Sequence, residues 1–258
     1  MGRTCLIGYS GFIGSNLARQ YSFDDHYRSA NIHAIEGQTY ELAVCAGVSA
    51  VKWRANQAPD EDRAGIDRLL DPLSRVRADR AILISTVDVY PATQEVDESF
   101  DCASRPNHAY GTNRLYVENT IKQLFPRTFI VRLPAVFGPG LKKNVIYDLI
   151  HDNGLDVIQP DSVFQYYDVA ALWGDLETMQ ACGISLVNLA TAPIPTRTIL
   201  NAHFPEKIVG MNAGPPAFYD IRSRYSDAMG GRDGYRFDEA QVLLRLGDFI
   251  RKERNGAA

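Results

Sequence analysis

Short unbroken apolar runs alternate along this chain with longer stretches whose apolar residues recur at helical spacing. The runs are TCLIG near the start, ELAVCAG around Leu42 to Ala46, RAILIST around Ala81 to Ser85, RTFIVRL around Thr128 to Leu133 and ISLVNLA around Ile184 to Leu189. Each is continuous rather than alternating, which is how a strand buried on both faces reads. The stretches between them, SNLARQY, DEDRAGIDRLLDPLSRV and YGTNRLYVENTIKQLF, have the patterning of helices. Buried strands separated by helices predict an α/β fold: a Rossmann-type doubly wound parallel sheet with helices on both faces. Proline and glycine thicken after Leu189, in TAPIPTRT and GMNAGPPAFYD, which breaks the repetition and predicts a small C-terminal lobe. On this reading residues 1–140 and 162–190 form the sheet domain, and 141–161 and 191–258 the lobe.

Composition narrows the partners. Hydrophobic residues make up 45% of the chain and charged ones 22%, enough apolar surface for an ordinary core. Lys+Arg 27 against Asp+Glu 31 gives a net charge of -4, with no basic face to neutralise a phosphate backbone, so nucleic acid is not expected as a partner. No run approaches the ~18 apolar residues of a membrane span, and the opening MGRTCLIGYSGFIG is too short and glycine-rich for a leader, so a cytoplasmic protein is expected. Cys5, Cys45, Cys102 and Cys182 lie far apart, with no metal-ligand spacing. Reduced thiols and no structural metal are expected, with Cys5 and Cys45 acting as small buried hydrophobes in their strands.

Candidate chemistry begins where the first strand ends. Gly8, Gly11 and Gly14 form GxxGxxG between a strand and a helix expected to begin near Ser15. The first glycine permits a tight turn, the second lets backbone approach a pyrophosphate and the third allows close helix–strand packing. Amide groups at the helix start would then hold the phosphates of NAD or NADP, with Ser10, Phe12 and Ile13 in the same turn. An acid about 20 residues further on would hold the adenosine ribose of NAD. Here HYRSANIHAI has Asn31 near that position and Arg28 just before it. Arg28 fits a 2′-phosphate, and equally a solvated surface arginine. The stretch from there to Leu42 is short, which predicts that one helix of the usual half-fold is lost or reduced.

Three further segments, in order, carry a family resemblance. ISTVDVY after the middle strand, HAYGTNR opening a helix and RLPAVFGPG after a later strand resemble the SSxxVYG, YxxxK and RxxNVYGP blocks of the extended short-chain dehydrogenases/reductases, the NAD-dependent epimerase/dehydratase group. CAGVSAV is similar to that family's HLAA segment, which puts Ala46 and Gly47, and Pro134 in the last block, beside the cofactor. The resemblance implies a catalytic Thr86, Tyr110 and Arg114, with arginine where the family has a lysine that also holds the nicotinamide ribose. The residue chemistry agrees, because an ordinary tyrosine is a poor base at neutral pH unless a cation favours its phenolate. Arg114 lies four residues beyond Tyr110, on the same helical face. Thr86 would hydrogen-bond the same substrate oxygen.

The resemblance further implies a nucleotide-linked sugar as substrate, with epimerisation or ketone reduction as the reaction. Dehydration is disfavoured, because Val87 and Asp88 stand where sugar dehydratases carry an Asp-Glu pair. A catalytically weak cofactor-binding protein and a reductase of a smaller carbonyl compound are the alternatives. Candidate substrate contacts are Lys52 and Asp88 near the strand ends, His108 beside Tyr110, Lys143 and Asn144 after FGPG, and Arg222 in YDIRSRY, with Lys142, Arg224 and Asn56 as weaker neighbours. Trp53 fits a packed core position better than a stacking one. A homodimer is implied by resemblance alone.

Overall fold

The computed structural model describes residues 2–256. Strand β1 (Thr4–Ile7) leads into α1 (Phe12–Gln20) and β2 (Asp25–Tyr27), and a four-residue 3-10 turn, Ile32–Ile35, connects to β3 (Thr39–Cys45). Helices α2 (Lys52–Gln57) and α3 (Pro59–Leu73) precede β4 (Arg77–Thr86), which runs straight into a 3-10 turn at Val87–Val89. Then come β5 (Gln94–Val96), α4 (Ala109–Leu124), β6 (Thr128–Leu133), β7 (Ala135–Phe137), α5 (Val145–His151) and β8 (Val163–Asp168). The chain continues through α6 (Leu172–Ala181), β9 (Leu186–Asn188), β10 (Pro193–Pro195), α7 (Thr196–His203), β11 (Asp220–Ile221) and α8 (Glu239–Gly256).

The chain divides into two compact units. The first holds 1–91, 98–133 and 170–188. Its sheet has six strands, ordered β2-β1-β3-β4-β6-β9 and parallel throughout. Adjacent residues of a strand point to opposite faces, so the continuous apolar runs fill two cores. Cys5, Ile7, Cys45, Leu83 and Ile130 pack on one face with Ile66 and Leu70 of α3 and Val117 and Ile121 of α4. Leu6, Val44, Ile82, Val131 and Val187 lie buried on the other, which α1 and α6 cover. The four-residue turn between β2 and β3 stands where a full helix would be, as the short sequence interval predicts. Among the described residues no helix is long and apolar enough to cross a membrane.

The second unit holds 92–97, 134–169 and 189–258. In it β8 pairs parallel with β7 and antiparallel with β10, and β11 pairs with β5. The buried Gln165 amide bonds backbone of Thr191 and Ile221, joining the small sheets without using a hydrophobic signal. The units differ from the expected division: 92–97, 134–140, 162–169 and 189–190 all lie in the second unit rather than the first. The reason is strand pairing, since Val163–Asp168 finds its partners in Ala135–Phe137 and Pro193–Pro195 rather than at an edge of the six-stranded sheet.

Candidate active site

The glycine turn is as tight as its sequence implies. Gly8 has φ +86, and a Cβ there would lie 2.4 Å from the Cα of Gly47, at the ends of the neighbouring strands β1 and β3. Ala46 N–H donates to Ile7 O at 2.8 Å, which closes that approach. Gly14 is closed in the same way: a Cβ would sit 2.0 Å from Gly8 O. Gly11 differs, because its Cβ would meet only Gly8 O, at 3.3 Å. The helix starts at Phe12 rather than near Ser15, with Gly11 as its N-cap and no side chain capping it. Ser10, Phe12 and Ile13 therefore stand at a helix N-terminus whose first amides have no capping side chain, beside a crevice where the strand order reverses.

Beyond β2 the candidates hold the turn itself. Asn31 Oδ1 accepts from Arg28 N–H at 2.7 Å, and Asn31 Nδ2 donates to His26 O at 3.1 Å. Arg28 directly follows the end of β2 and is exposed.

The other end of the site is built by α4 seating on the turn after β4. A Cβ on Gly111 would lie 2.3 Å from Asp88 O, so only glycine lets the helix start come this close. Asn107, which the sequence reading missed, fastens the joint by donating to Asp88 O and Val89 O at 3.0 Å each. Thr86 Oγ1 accepts from Asp88 N–H at 3.1 Å, leaving its own O–H to donate. Lys52 Nζ and Asp88 Oδ1 form an ion pair at 2.7 Å. Two separately chosen substrate candidates are thus one paired unit. Asn56 Oδ1 accepts from Tyr110 N–H at 2.9 Å. Trp53 is 65% exposed on the same short helix, not in the core where it was expected. α2 offers its buried side through Ala55 alone, and the tryptophan lies off that face.

Tyr110 is buried, and burial raises its phenol above the ordinary tyrosine range against the opposing influence of Arg114. The Arg114 guanidinium lies over the Tyr110 ring, 4.4 Å from its centroid. His108 Nδ1 accepts from Gly111 N–H at 2.9 Å as the N-cap of α4. Burial, then the charge of Lys52, lowers the His108 pKa, although Asp88 acts the other way. Only the neutral imidazole can accept this bond, so the cap operates above the unfolded-state pKa of about 6.5 and is lost as pH falls through the lower folded value. A His108→Asn variant keeps an acceptor that does not titrate. Wild type is expected to lose stability relative to it as pH drops below about 6.5, which urea unfolding at a series of pH values measures. Parallel stability curves would refute the capping role.

A buried ion pair that the sequence reading also missed supports the same helix. Glu118 accepts from Arg132 Nε at 3.0 Å and Nη2 at 2.7 Å, and from Ser85 Oγ at 2.6 Å. Two signals existed: Tyr110, Arg114 and Glu118 recur every four residues on one helical face, and Arg132 interrupts an apolar strand run. Buried charges at such positions require a partner. Pro134 follows that strand directly. Cys5 and Cys45 are buried as expected, and burial pushes the Cys45 thiol up to about 11.

The remaining candidates belong to the second unit. Asn144, at φ 117, caps α5 by accepting from Ile146 and Tyr147 N–H, and its amide donates to Val136 O. Its side chain shapes the loop rather than presenting a free amide. Lys143 is exposed as a residue, yet partial burial of its ammonium lowers its pKa. Arg222 pairs with Asp220 at 3.3 Å and lies 5.4 Å from the Tyr235 ring.

The model of the NAD dependent epimerase/dehydratase family matches residues 27–158. A search of curated proteins found no match. Among solved structures, MoeE5 in complex with UDP-glucose and NAD superposes with TM-score 0.72 at 16% identity, covering 100% of both chains. UDP-glucose 4-epimerase from Thermotoga maritima, with UDP-glucose, gives 0.73 at 13% identity, covering 99% of this chain and 100% of that one. The dTDP-4-dehydrorhamnose reductase from Bacillus anthracis, in complex with NADP, gives 0.72 at 14%, covering 97% and 98%. At these identities the likeness is one of fold.

Proposed function

The chain belongs to the NAD dependent epimerase/dehydratase family, and on that premise we propose that it is an NAD(P)-dependent oxidoreductase acting at a keto or carbinol carbon of a nucleotide-linked sugar, with Tyr110 as the proton-transferring group. The observation that carries this reading is the convergence of Thr86, Asp88, Lys52 and Tyr110 at one joint, formed where α4 seats on the end of β4.

The glycine turn fits a dinucleotide. Gly11 presents bare backbone on a side where a Cβ would meet little, while Gly8 and Gly14 are filled by backbone. The pyrophosphate would rest on the amides of Gly11 to Ile13, with Ala46 and Gly47 walling the crevice. Arg28 would meet a 2′-phosphate if the cofactor is NADP. When bound, the nicotinamide supplies or accepts the hydride.

In the reductive direction the Tyr110 phenol breaks its O–H bond as the carbonyl oxygen, on gaining the hydride at its carbon, becomes a hydroxyl. The phenolate then regains a proton from solvent. Thr86 donates to the same oxygen and fixes it for transfer. Burial of Tyr110 favours the protonated phenol, hence carbonyl reduction over a first step of alcohol oxidation. MoeE5, the Thermotoga epimerase and the Bacillus reductase are similar folds named for nucleotide-sugar ligands or reactions, which supports that substrate class.

The test is mass spectrometry of ligands released from freshly purified protein, followed by spectrophotometric turnover of NADH and NADPH against a panel of keto nucleotide sugars. A released nicotinamide dinucleotide and oxidation of the reduced cofactor with at least one member are expected. Bound dinucleotide with no turnover on any member would favour a cofactor-binding protein without hydride transfer.

A further inference from the structure

Arg114 is not a free cation beside the phenol. Its side chain and that of Asp62 are 5% and 9% exposed. Nη1 donates to Asp62 Oδ2 at 3.0 Å and Nη2 to Oδ1 at 2.9 Å, a two-point fork, and Nη2 also donates to Ser49 O at 2.6 Å. Asn113 Nδ2 is a third donor to the Asp62 carboxylate, bonding Oδ2 at 2.9 Å, and also reaches Pro59 O at 3.1 Å. Nε of Arg114 is buried and has no partner among the described residues. Asp62 lies in the first turn of α3, where the helix dipole favours a carboxylate. Burial works to raise its pKa, but the bonds from Arg114 and Asn113 outweigh this and hold it low.

We propose that Asp62 is the positioning residue of the site: its carboxylate fixes the Arg114 guanidinium over the Tyr110 ring as a charge-compensated pair, so that Tyr110 faces no free cation and serves as a proton donor. This rests on the reading of Tyr110 as the proton-transferring group. A fork of two hydrogen bonds sets the plane of a guanidinium, and a planar guanidinium lies along an aromatic face; an ammonium offers neither property. The other charges facing Tyr110 are compensated too. Lys52 from α2 and Asp88 from the turn after β4 pair with each other, and His108, at the helix cap, is biased toward neutrality. With both cations paired, burial decides the protonation state of the phenol. Asp62 therefore curbs the phenolate-stabilising influence of Arg114, which burial of Tyr110 outweighs, and makes the arginine a structural residue that orders α3, α4 and the loop at Ser49.

The proposal is tested on the protein without cofactor, by ultraviolet titration of the phenol read as the difference between each protein and its Tyr110→Phe counterpart. Asp62→Asn leaves Arg114 without its counter-charge, and the Tyr110 midpoint is expected to fall by about one to two pH units. Asp62→Asn/Arg114→Gln removes both charges, leaves no buried unpaired ion and is expected to titrate within about 0.3 unit of wild type. If Asp62 only holds α3 to α4, Asp62→Asn will lower the thermal midpoint without moving the titration, and the double variant will raise it by a unit or more as Arg114's charge is lost. Either result overturns the proposal. Should Asp62→Asn not fold, the double variant decides alone. Because the titration needs no turnover, it fails or succeeds separately from the assignment of Tyr110 to the reaction.

Discussion

Replacing Tyr110 by phenylalanine is expected to lower turnover on the order of 100-fold or more while leaving dinucleotide affinity in place. The substitution removes one hydroxyl and keeps the ring, so the face that Arg114 covers at 4.4 Å is preserved. The helix start also survives, because Tyr110 is tied to Asn56 through its backbone N–H and not its hydroxyl. Loss of the proton donor should thus appear in kcat, with KM and calorimetric cofactor affinity near wild type. Turnover within a factor of about two of wild type would mean another group transfers the proton.

Gly11→Val is expected to cost on the order of 100-fold in dinucleotide affinity, about 2.8 kcal/mol, in a protein that still folds. At φ -78 and ψ 171 the Gly11 backbone is one that a β-branched residue adopts, and the nearest atom to its Cβ is 3.3 Å away. The loss of a good N-cap should cost about 1 kcal/mol, which urea unfolding separates from the binding loss read by calorimetry. The same turn supplies its own control. A Cβ at Gly14 would lie 2.0 Å from Gly8 O, so Gly14→Ala must displace backbone and should lower stability by about 3 kcal/mol. Unchanged affinity in folded Gly11→Val would remove the glycine turn from the cofactor assignment.

Much of the fold was legible because it depends on short-range pattern. Continuous apolar runs between helical stretches read as strands covered on both faces, and β3, β4 and β6 overlap the predicted runs ELAVCAG, RAILIST and RTFIVRL, with β3 and β4 starting a few residues earlier. The glycine spacing marked the turn, since a positive φ at Gly8 and backbone contact at Gly14 exclude any side chain. The second unit was less legible. Its strands β5, β7, β10 and β11 have two or three residues each, too few for a hydrophobic period to register, and β8 declares its allegiance only through partners distant in sequence.

Within the site, sequence by itself determined which residue types stand at which spacing: Thr86 at a strand end, Tyr110 and Arg114 on one helical face, glycine at 8, 11 and 14. What each side chain does was decided by tertiary structure, because hydrogen bonding and charge compensation depend on neighbours that the chain brings from afar. Arg114 looked like a free cation until Asp62, 52 residues away, took both its terminal nitrogens. Lys52 and Asp88, 36 residues apart, proved to be one ion pair. His108 and Asn144 spend polar atoms on helix caps. Periodicity reports which face of an element is buried, whereas a buried charge or donor is defined by its partner, and only the folded chain supplies the partner.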